Sequence, residues 1–112
     1  MSRRQAKGAL KAAPVFAALG DATRLRIVTR LSGDGPSSIA RLTGGSGVTR
    51  QAVSKHLQVL AAAGLVRVAR HGRESSWELE PRKLAEVRRS LDLISERWDE
   101  ALDRLATFVE KD

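Results

Sequence analysis

The residues best suited to binding chemistry lie at the front of the stretch 48–66, whose sequence is VTRQAVSKHLQVLAAAGLV. Its first turns carry hydrogen-bonding and cationic side chains at Arg50, Gln51, Ser54, Lys55 and His56. Arginine pairs with O6 and N7 of guanine, and glutamine pairs with N6 and N7 of adenine. Serine and lysine suit phosphate oxygens. The sequence therefore predicts a DNA-reading surface, with Arg50 and Gln51 at the bases and Ser54 and Lys55 at the backbone.

His56 has two interpretations. It belongs to the same polar front, where its ring could donate a hydrogen bond to DNA. It also directly precedes Leu57, so the ring could instead pack or hydrogen-bond within its own chain. The sequence leaves both interpretations open.

A helix must present these side chains, and the sequence marks both of its ends. Thr49 has the side chain of an N-cap, and Gly64 is placed to stop the helix. Four apolar residues recur at i, i+4, i+7 and i+8 and therefore share one face: Val53, Leu57, Leu60 and Ala61. The pattern predicts a helix with a buried back and a polar front.

Three helices are predicted before this one. The first follows Pro14, the second is capped by Asp21 and stops at Gly33, and the third is capped by Ser37 or Ser38. Their apolar residues are Val15, Phe16, Leu19, Leu25, Ile27, Val28, Leu31, Ile39, Ala40 and Leu42. The segment TGGSG at 43–47 then separates the third helix from the fourth. Two helices joined by a glycine-containing turn form a helix-turn-helix, here with a longer turn than usual.

After Gly64 the apolar residues change their period. Residues 65–68 and 76–79 are typical of two short strands, and the segment RHGRE at 70–74 lies between them. The pattern predicts a β-hairpin whose tip carries the cations Arg70, His71 and Arg73. Such a hairpin is the wing of a winged helix, which lies along phosphates or in a minor groove; the alternative is an ordinary solvated hairpin.

The last element is predicted to begin at Pro81, and residues 82–110 contain neither proline nor glycine. Apolar residues recur in steps mostly of three and four at Leu84, Val87, Leu91, Ile94, Trp98, Leu102, Leu105 and Val109. A helix of ~27 residues is ~40 Å long, which exceeds what a small helical core covers. We therefore expect a second copy of the chain to cover part of this seam in a two-fold dimer. Packing within one chain is the alternative.

Composition limits the remaining choices. The chain has 112 residues, is 42% hydrophobic and carries a formal charge of +7, which favours one domain and a polyanionic partner. Residues 1–11 hold four cations and no acid, so we expect a flexible basic arm that contacts DNA or is simply solvated, followed by one domain at 12–112. No stretch is long and apolar enough to span a membrane or act as a signal peptide, so a cytoplasmic location is expected. Cysteine is absent, which excludes disulfides and thiolate metal sites.

Three blocks of the sequence resemble the ArsR/SmtB family of bacterial winged-helix regulators. FAALGDATRLRIVTRL at 16–31 looks like the family's segment ALADPTRLRIL. TRQAVSKHLQVLAAAGLV at 49–66 is similar to its recognition helix, and RHGRESSWEL at 70–79 resembles its wing, with Trp77 where the family often has tyrosine. Order and spacing match over residues 14 to about 110.

The resemblance implies a fold, a partner and a set of site residues. The fold is mainly α with a small β-hairpin, a winged helix-turn-helix that dimerises through its first and last helices. The implied function is transcriptional regulation, usually repression, by a homodimer that binds a palindromic operator in double-stranded DNA. The implied DNA-binding residues are Thr49, Arg50, Gln51, Ser54, Lys55, His56, Arg70 and Arg73. The implied dimer interface comprises Val15, Phe16, Leu84, Val87, Leu91, Ile94, Trp98, Leu102 and Leu105.

The sequence departs from the metal-sensing members of the family. Ser38 and Ala40 stand at the positions of a metal-binding cysteine pair, and residues 82–112 contain no histidine. The acidic row of the last helix, Asp92, Glu96, Asp99 and Asp103, lies beside Arg89, Arg97 and Arg104, which favours solvated ion pairs over a metal site. We therefore expect no metal and no cofactor. The sequence does not indicate whether a small-molecule inducer exists.

Two other classes of function compete with a DNA-binding regulator. An enzyme is disfavoured because both histidines, His56 and His71, lie on the predicted DNA side and no phosphate loop or nucleophile motif is present. A dimeric protein-interaction module with a winged-helix fold that does not bind DNA is the second alternative. The cations of the predicted DNA surface argue against it, since such a module has no use for them.

Overall fold

The computed structural model describes residues 2–4, 7, 11–71 and 73–110, without the side chains of His71 and Glu74. In chain order the elements are α1 (Ala13–Leu19), α2 (Ala22–Asp34), α3 (Ile39–Thr43), α4 (Arg50–Ala62), β1 (Val66–His71), β2 (Glu74–Leu79) and α5 (Pro81–Glu110). This order confirms the predicted fold, a mainly α chain with one antiparallel hairpin. No helix in the described part of the chain is long and apolar enough to cross a membrane.

Three helices begin where a side-chain oxygen caps the first turn. Asp21 Oδ2 accepts from the amide of Arg24 at 3.0 Å and starts α2. Ser38 Oγ accepts from Arg41 N at 3.1 Å and starts α3, which decides between the two serines predicted for this cap. Thr49 Oγ1 does the same for α4. Each bond satisfies an amide that the helix itself leaves unpaired.

The predicted end of α2 was wrong by two residues. The helix continues through Gly33 to Asp34, and Gly35 follows it with φ of +77°. Glycine inside a helix costs only about 1 kcal/mol relative to alanine, so Gly33 alone does not end α2. Pro36 disfavours the helical conformation for the residue before it, which places the stop at Gly35.

The hydrophobic core lies around the back of α4. Val53, Leu57 and Leu60 are buried there, and Leu57 and Leu60 have no exposed surface at all. The other core residues come from the neighbouring elements: Val15, Ala18, Ile27, Leu31, Leu42, Leu65, Val66 and Val87. The predicted buried face of the recognition helix is thereby confirmed.

The hairpin is longer than the sequence pattern predicted. β1 and β2 pair from Val66 with Leu79 to His71 with Glu74, and Arg70 pairs with Ser75 within the ladder. Arg70 is therefore a strand residue, and of the cations predicted at the tip only Arg73 lies between the strands. Arg70 is polar and exposed, and backbone pairing in an antiparallel hairpin continues through such residues because one face of the pair can remain in water. The other end is anchored by two backbone bonds between Ser37 and Trp77, of 2.9 and 2.8 Å.

Only the first third of α5 packs against this body. Val87 and Ser90 are its buried residues, and from Leu102 to Glu110 every residue is exposed. The chain is accordingly elongated, with extents of 65 × 30 × 20 Å. At the other terminus, most of the predicted basic arm at 1–11 lies outside the described residues. Arg3, Arg4, Lys7 and Lys11 are described, with helical backbone and exposed side chains.

Candidate nucleic-acid interface

The front of α4 brings most of the predicted base and phosphate contacts to one surface. Arg50, Gln51 and Lys55 are exposed, and Ser54 is half-buried beside them. Gln58 is also exposed and follows Ser54 by four residues, so it extends the same surface by one helical turn. Sequence reasoning missed Gln58, although its spacing from Gln51 and Ser54 was available as a signal.

Thr49 combines two roles at the start of this surface. Its hydroxyl oxygen accepts from the amide of Ala52 at 3.1 Å, which fixes the first turn of α4. The hydroxyl hydrogen remains available to donate to a phosphate, because a threonine hydroxyl donates and accepts independently. The exposed side chain can therefore cap the helix and contact DNA at once.

The glycine-rich turn before α4 is tied together by Ser46. Its hydroxyl donates to the carbonyl of Thr43 at 2.6 Å and accepts from the amide of Val48 at 3.3 Å. Gly45 and Gly47 on either side have φ of +71° and +76°, a region that other residues rarely occupy. The turn thus follows a path that needs glycine at both positions, which explains the composition of TGGSG.

Two arginines of α2 donate to this turn. Arg26 Nη1 lies 3.3 Å from the carbonyl oxygen of Ser46, and Arg30 Nη1 lies 3.2 Å from that of Gly44. The spacing in the sequence places both side chains mostly off the apolar face of α2, but it does not indicate their partners. No periodic pattern could have found the contacts, because they depend on where a turn 14 to 20 residues away lies in space.

His56 has a partner inside its own chain. Arg24 Nη1 lies 3.3 Å from His56 Nδ1. Because a guanidinium can only donate, a hydrogen bond between the two requires the tautomer in which Nδ1 accepts. Arg24 also donates from Nε to the carbonyl of Ala18. The local interpretation of His56 therefore holds for Nδ1. His56 is half-buried, and its Nε2 has no hydrogen-bond partner among the described residues. Since no buried side-chain nitrogen or oxygen in the described part of the chain lacks a partner, Nε2 must be accessible to solvent.

Asp21 completes the contact between α2 and α4. Its Oδ2 accepts from the amide of Arg24 and lies 3.8 Å from His56 Nδ1. The hydrogen bond from the Arg24 amide holds the pKa of Asp21 below its usual value, and the Arg24 guanidinium adds to the effect. The carboxylate is therefore charged throughout the neutral range, where it both caps α2 and faces the recognition helix.

The wing presents two cations that are available for phosphates. Arg70 and Arg73 are exposed and have no ion-pair partner among the side chains that the structure describes. Arg67 differs, because its guanidinium lies 2.9 Å from Glu78 Oε1 and 2.7 Å from Glu80 Oε2. Glu78 and Glu80 raise the pKa of Arg67 and neutralise its charge locally. The structure thus separates a cation that braces the hairpin from the two predicted to contact DNA.

The residues predicted for a dimer interface divide into two groups. Val15 and Val87 are 3% and 7% exposed in the chain's own core, so we assign them to that core rather than to an interface. Phe16 and Leu84 pack partly against the same core. The exposed group comprises Leu91, Trp98, Leu102 and Leu105, with Ile94 half-buried beside them. Phe108 and Val109 continue the exposed group to the end of the helix, and Phe108 was missed because only one residue was chosen from each turn.

The acidic row of α5 does not converge on a point. Within the described residues, no three histidines or carboxylates are grouped so that they could hold a metal ion. Arg97, predicted to pair with the row, instead lies 3.6 Å from Glu100, which is outside it. The row is an exposed, solvated side of α5.

Several known proteins are similar to this chain in sequence and in fold. Residues 19–69 match the helix-turn-helix domain family. The HTH-type transcriptional regulator Rv2034 of Mycobacterium tuberculosis is 38% identical over 95 residues, which span 85% of each chain. An ArsR-like transcriptional regulator from Rhodococcus sp. RHA1 has a similar structure, with 38% identity, a TM-score of 0.70 and coverage of 86% of this chain and 90% of that one.

A more distant structure shares the fold. The homodimeric winged helix-turn-helix DNA-binding domain of Mb0332 from Mycobacterium bovis is 24% identical, with a TM-score of 0.63 over 86% of this chain and 88% of that one. The first two of these similar proteins are named as transcriptional regulators, and the third is named as a DNA-binding domain.

Proposed function

The chain belongs to the ArsR family of winged helix-turn-helix transcriptional regulators, and from this premise we propose that it binds a palindromic operator as a homodimer and represses the promoter that contains it. The observation that carries the proposal is the two-sided construction of α4. Its back is buried in the core, while its front exposes Arg50, Gln51 and Lys55 together. Because the apolar face of α4 is packed in the core, the helix can present its polar face to a major groove in one orientation.

The residues of this front divide between bases and phosphates. Arg50 and Gln51 begin α4, the end that reaches deepest into a groove, and both form paired bonds with single bases, guanine for Arg50 and adenine for Gln51. Ser54, Lys55 and the Thr49 hydroxyl contact the backbone. His56 contributes to DNA binding only through Nε2, since Nδ1 is occupied by Arg24.

The wing and the N-terminal arm add contacts that do not depend on sequence. Arg70 and Arg73 are exposed along the hairpin, where each neutralises one phosphate of the flanking duplex. The arm at 1–11 carries four cations and reaches the backbone or the minor groove beside the domain. These charges raise affinity for every sequence, whereas α4 provides preference for one.

The homodimer is supported by the apolar side of α5. Large side chains remain exposed along its second half, with Trp98 at 66%, Leu105 at 60% and Phe108 at 72%. Soluble monomers rarely expose a contiguous apolar surface of this kind, and such a surface usually marks an interaction site. The homodimeric Mb0332 domain shares the fold, and a two-fold pair of recognition helices accounts for a palindromic operator.

Charge along α5 fits an antiparallel pair of these helices. Residues 81–91 hold four cations and one acid, whereas residues 92–110 hold six acids and two cations. Two copies related by a two-fold axis across α5 place the basic half of one opposite the acidic half of the other. Complementary charge of this kind selects the orientation of a pair more than it adds affinity.

We further propose that this regulator does not respond to thiophilic metals. The chain has no cysteine, Ser38 and Ala40 occupy the positions of the family's cysteine pair, and residues 82–112 lack histidine. Serine and alanine side chains offer no soft ligand to arsenic, zinc or copper.

A fluorescent duplex containing the protein's own promoter tests the proposal. We expect saturable binding of two chains per duplex, competition by the same promoter, and weak competition by an unrelated duplex of equal length. In a reporter strain, deletion of the regulator should raise expression from that promoter. Absence of binding at low salt would instead favour the protein-interaction module.

A further inference from the structure

We infer that Arg26 and Arg30 are positioning residues for operator binding, which hold the turn at 43–47 and thereby orient the front of α4. The inference rests on the proposed DNA-binding function and extends it to two side chains that need not touch DNA. Both arginines lie on α2, four residues apart, so they point to the same side of the helix. From there each reaches one carbonyl of the turn.

The two bonds are charge-assisted and directed. Arg26 donates to Ser46 O at 3.3 Å and Arg30 to Gly44 O at 3.2 Å, so the turn is held at both sides of Gly45. Arg30 Nε also lies 3.4 Å from Asp34 Oδ2, which restricts the orientation of its guanidinium. Hydrogen bonds from a charged donor are stronger than neutral ones and therefore suit a segment with little else to hold it.

Apolar packing does little to hold this turn. Gly44, Gly45 and Gly47 have no side chains, and a cavity of about 60 Å³ lies between the turn, α2 and the start of α4. Ile27, Leu42 and Val53 form its apolar wall. Glycine is the most conformationally free residue. Within the described part of the chain, the hydrogen bonds from α2 to the turn are those of Arg26 and Arg30.

The turn is coupled to the base-reading end of α4 over a very short distance in sequence. Ser46, whose carbonyl accepts from Arg26, also accepts from the amide of Val48 through its hydroxyl. Val48 directly precedes Thr49, the cap of α4, and Arg50 and Gln51 follow. A displaced turn therefore moves the cap and the two residues proposed to contact bases.

This coupling predicts a loss of specificity rather than of general affinity. Paired hydrogen bonds to a base require a fixed approach, so they suffer when the front of α4 becomes mobile. Contacts with phosphates tolerate such movement, because they depend mainly on charge. Loss of the two arginine bonds should therefore weaken operator binding more than binding to an unrelated duplex.

The first experiment compares the double variant Arg26→Ala/Arg30→Ala with Arg41→Ala, each over a salt series on the operator and on an unrelated duplex. Arg41 is an exposed cation on α3 whose side chain makes no hydrogen bond or ion pair within the described part of the chain. The double variant should lose about tenfold in operator affinity beyond its loss on the unrelated duplex, because two charge-assisted hydrogen bonds to the turn are removed. Arg41→Ala should change both duplexes equally.

A rescue separates positioning from a merely structural effect. Gly44 has φ of −57° and ψ of 123°, and a Cβ there would lie 3.6 Å from its nearest neighbour, the carbonyl of Arg41. Gly44→Ala thus fits the turn and reduces its freedom. Added to the double variant, it should restore operator preference by about two- to fivefold, the size of effect that glycine-to-alanine changes have elsewhere.

Hydrogen exchange without DNA gives a readout independent of the proposed function. The double variant should exchange the amides of Ser46 and Val48 faster, while the amides of Leu57 and Leu60 remain protected. Unchanged exchange in the turn would overturn the positioning role even if DNA binding is confirmed. A salt slope that falls by about one for each arginine would also overturn it, because it would indicate direct phosphate contacts. If the unmodified protein binds neither duplex, the proposed function fails, whereas the exchange result still decides whether the arginines hold the turn.

Discussion

Two helices of this protein have the same kind of apolar stripe, and they use it in opposite ways. In α4 the stripe is enclosed by the chain itself, and Leu57 has no exposed surface. In the second half of α5 the stripe faces outward, with Leu102 57% exposed. The period of apolar residues therefore predicts a helix and its apolar face. It does not predict whether the surface that covers this face belongs to the same chain or to another.

The difference follows from length and neighbours. α4 has 13 residues and is surrounded by α1, α2, α3 and β1, which are long enough together to cover it. α5 has 30 residues, about 45 Å at 1.5 Å per residue, and extends beyond every other element. An amphipathic helix that extends beyond the hydrophobic core of its own chain keeps part of its apolar face exposed to water, which is unfavourable.

The largest effect should come from a charge placed in the exposed stripe. Leu102→Asp puts a carboxylate into the exposed apolar side of α5 that we propose as the interface, and two-fold symmetry repeats it in the partner. Losing one buried leucine per protomer removes about 3–6 kcal/mol from dimer formation, so sedimentation equilibrium should show monomers at micromolar concentration. Operator affinity should fall with dimerisation.

Thr107→Asp is the matched control, because it adds the same charge to the opposite side of α5, where Thr107 is exposed. It should leave the dimer intact. A Leu102→Asp variant that still sediments as a full dimer would place the interface elsewhere and break the comparison between the two stripes.

The enclosed stripe should respond differently. Leu57→Ala leaves a cavity in the core and should lower the free energy of unfolding by about 2–5 kcal/mol in urea denaturation. Leu105→Ala on α5 should cost little when the protein is dilute, and more as the protein concentration rises and dimers form. Equal, concentration-independent losses for the two variants would show that both stripes are covered within one chain.

The elements that the sequence predicted well are those decided by local chemistry. Asp21 and Thr49 cap helices because their side-chain oxygens reach amides three residues away, and α4 buries the face that its spacing indicated. The predicted end of α2 at Gly33 was wrong because a single glycine does not end a helix, and the observed end at Asp34 depends on Pro36. The hairpin was underestimated because its outer half is polar and is held by backbone pairing rather than by apolar alternation.

The contacts that the sequence could not predict belong to long side chains. Arg24, Arg26 and Arg30 each reach an atom 6 to 32 residues away, and no spacing rule distinguishes such an arginine from a solvated one. The same limit applies to Arg67, whose guanidinium pairs with Glu78 and Glu80. Such contacts require the tertiary fold, because the reach of a flexible cation exceeds the range over which sequence patterns carry geometry.

Within the DNA surface, α4 and the wing should be distinguishable by what their variants change. Gln51→Ala or Arg50→Ala should reduce discrimination between operator bases by about 1–3 kcal/mol per lost paired contact. Arg73→Ala should weaken all duplexes alike and reduce the salt slope by about 0.9, the contribution of one phosphate. A titration of each variant against single-base operator mutants at several salt concentrations measures both quantities. A changed base preference in Arg73→Ala with an unaltered salt slope would contradict the assignment of the wing.

The smallest effect concerns pH and should be confined to the body that encloses α4. The pKa of Asp21 is lowered in the folded state by the Arg24 amide and the Arg24 guanidinium, so the folded protein binds fewer protons there than the unfolded chain. Its contribution to stability is therefore complete above the usual pKa and is lost as pH falls through the lowered one, in the range below about pH 4. Asp21→Asn keeps a good helix cap but removes the titration, so it should flatten the acid limb of urea-derived stability against pH. Asp99→Asn, on the exposed side of α5, should leave that limb unchanged. If both variants flattened it equally, the acid sensitivity would reflect net charge alone, and the contact of Asp21 with Arg24 would have no separate role.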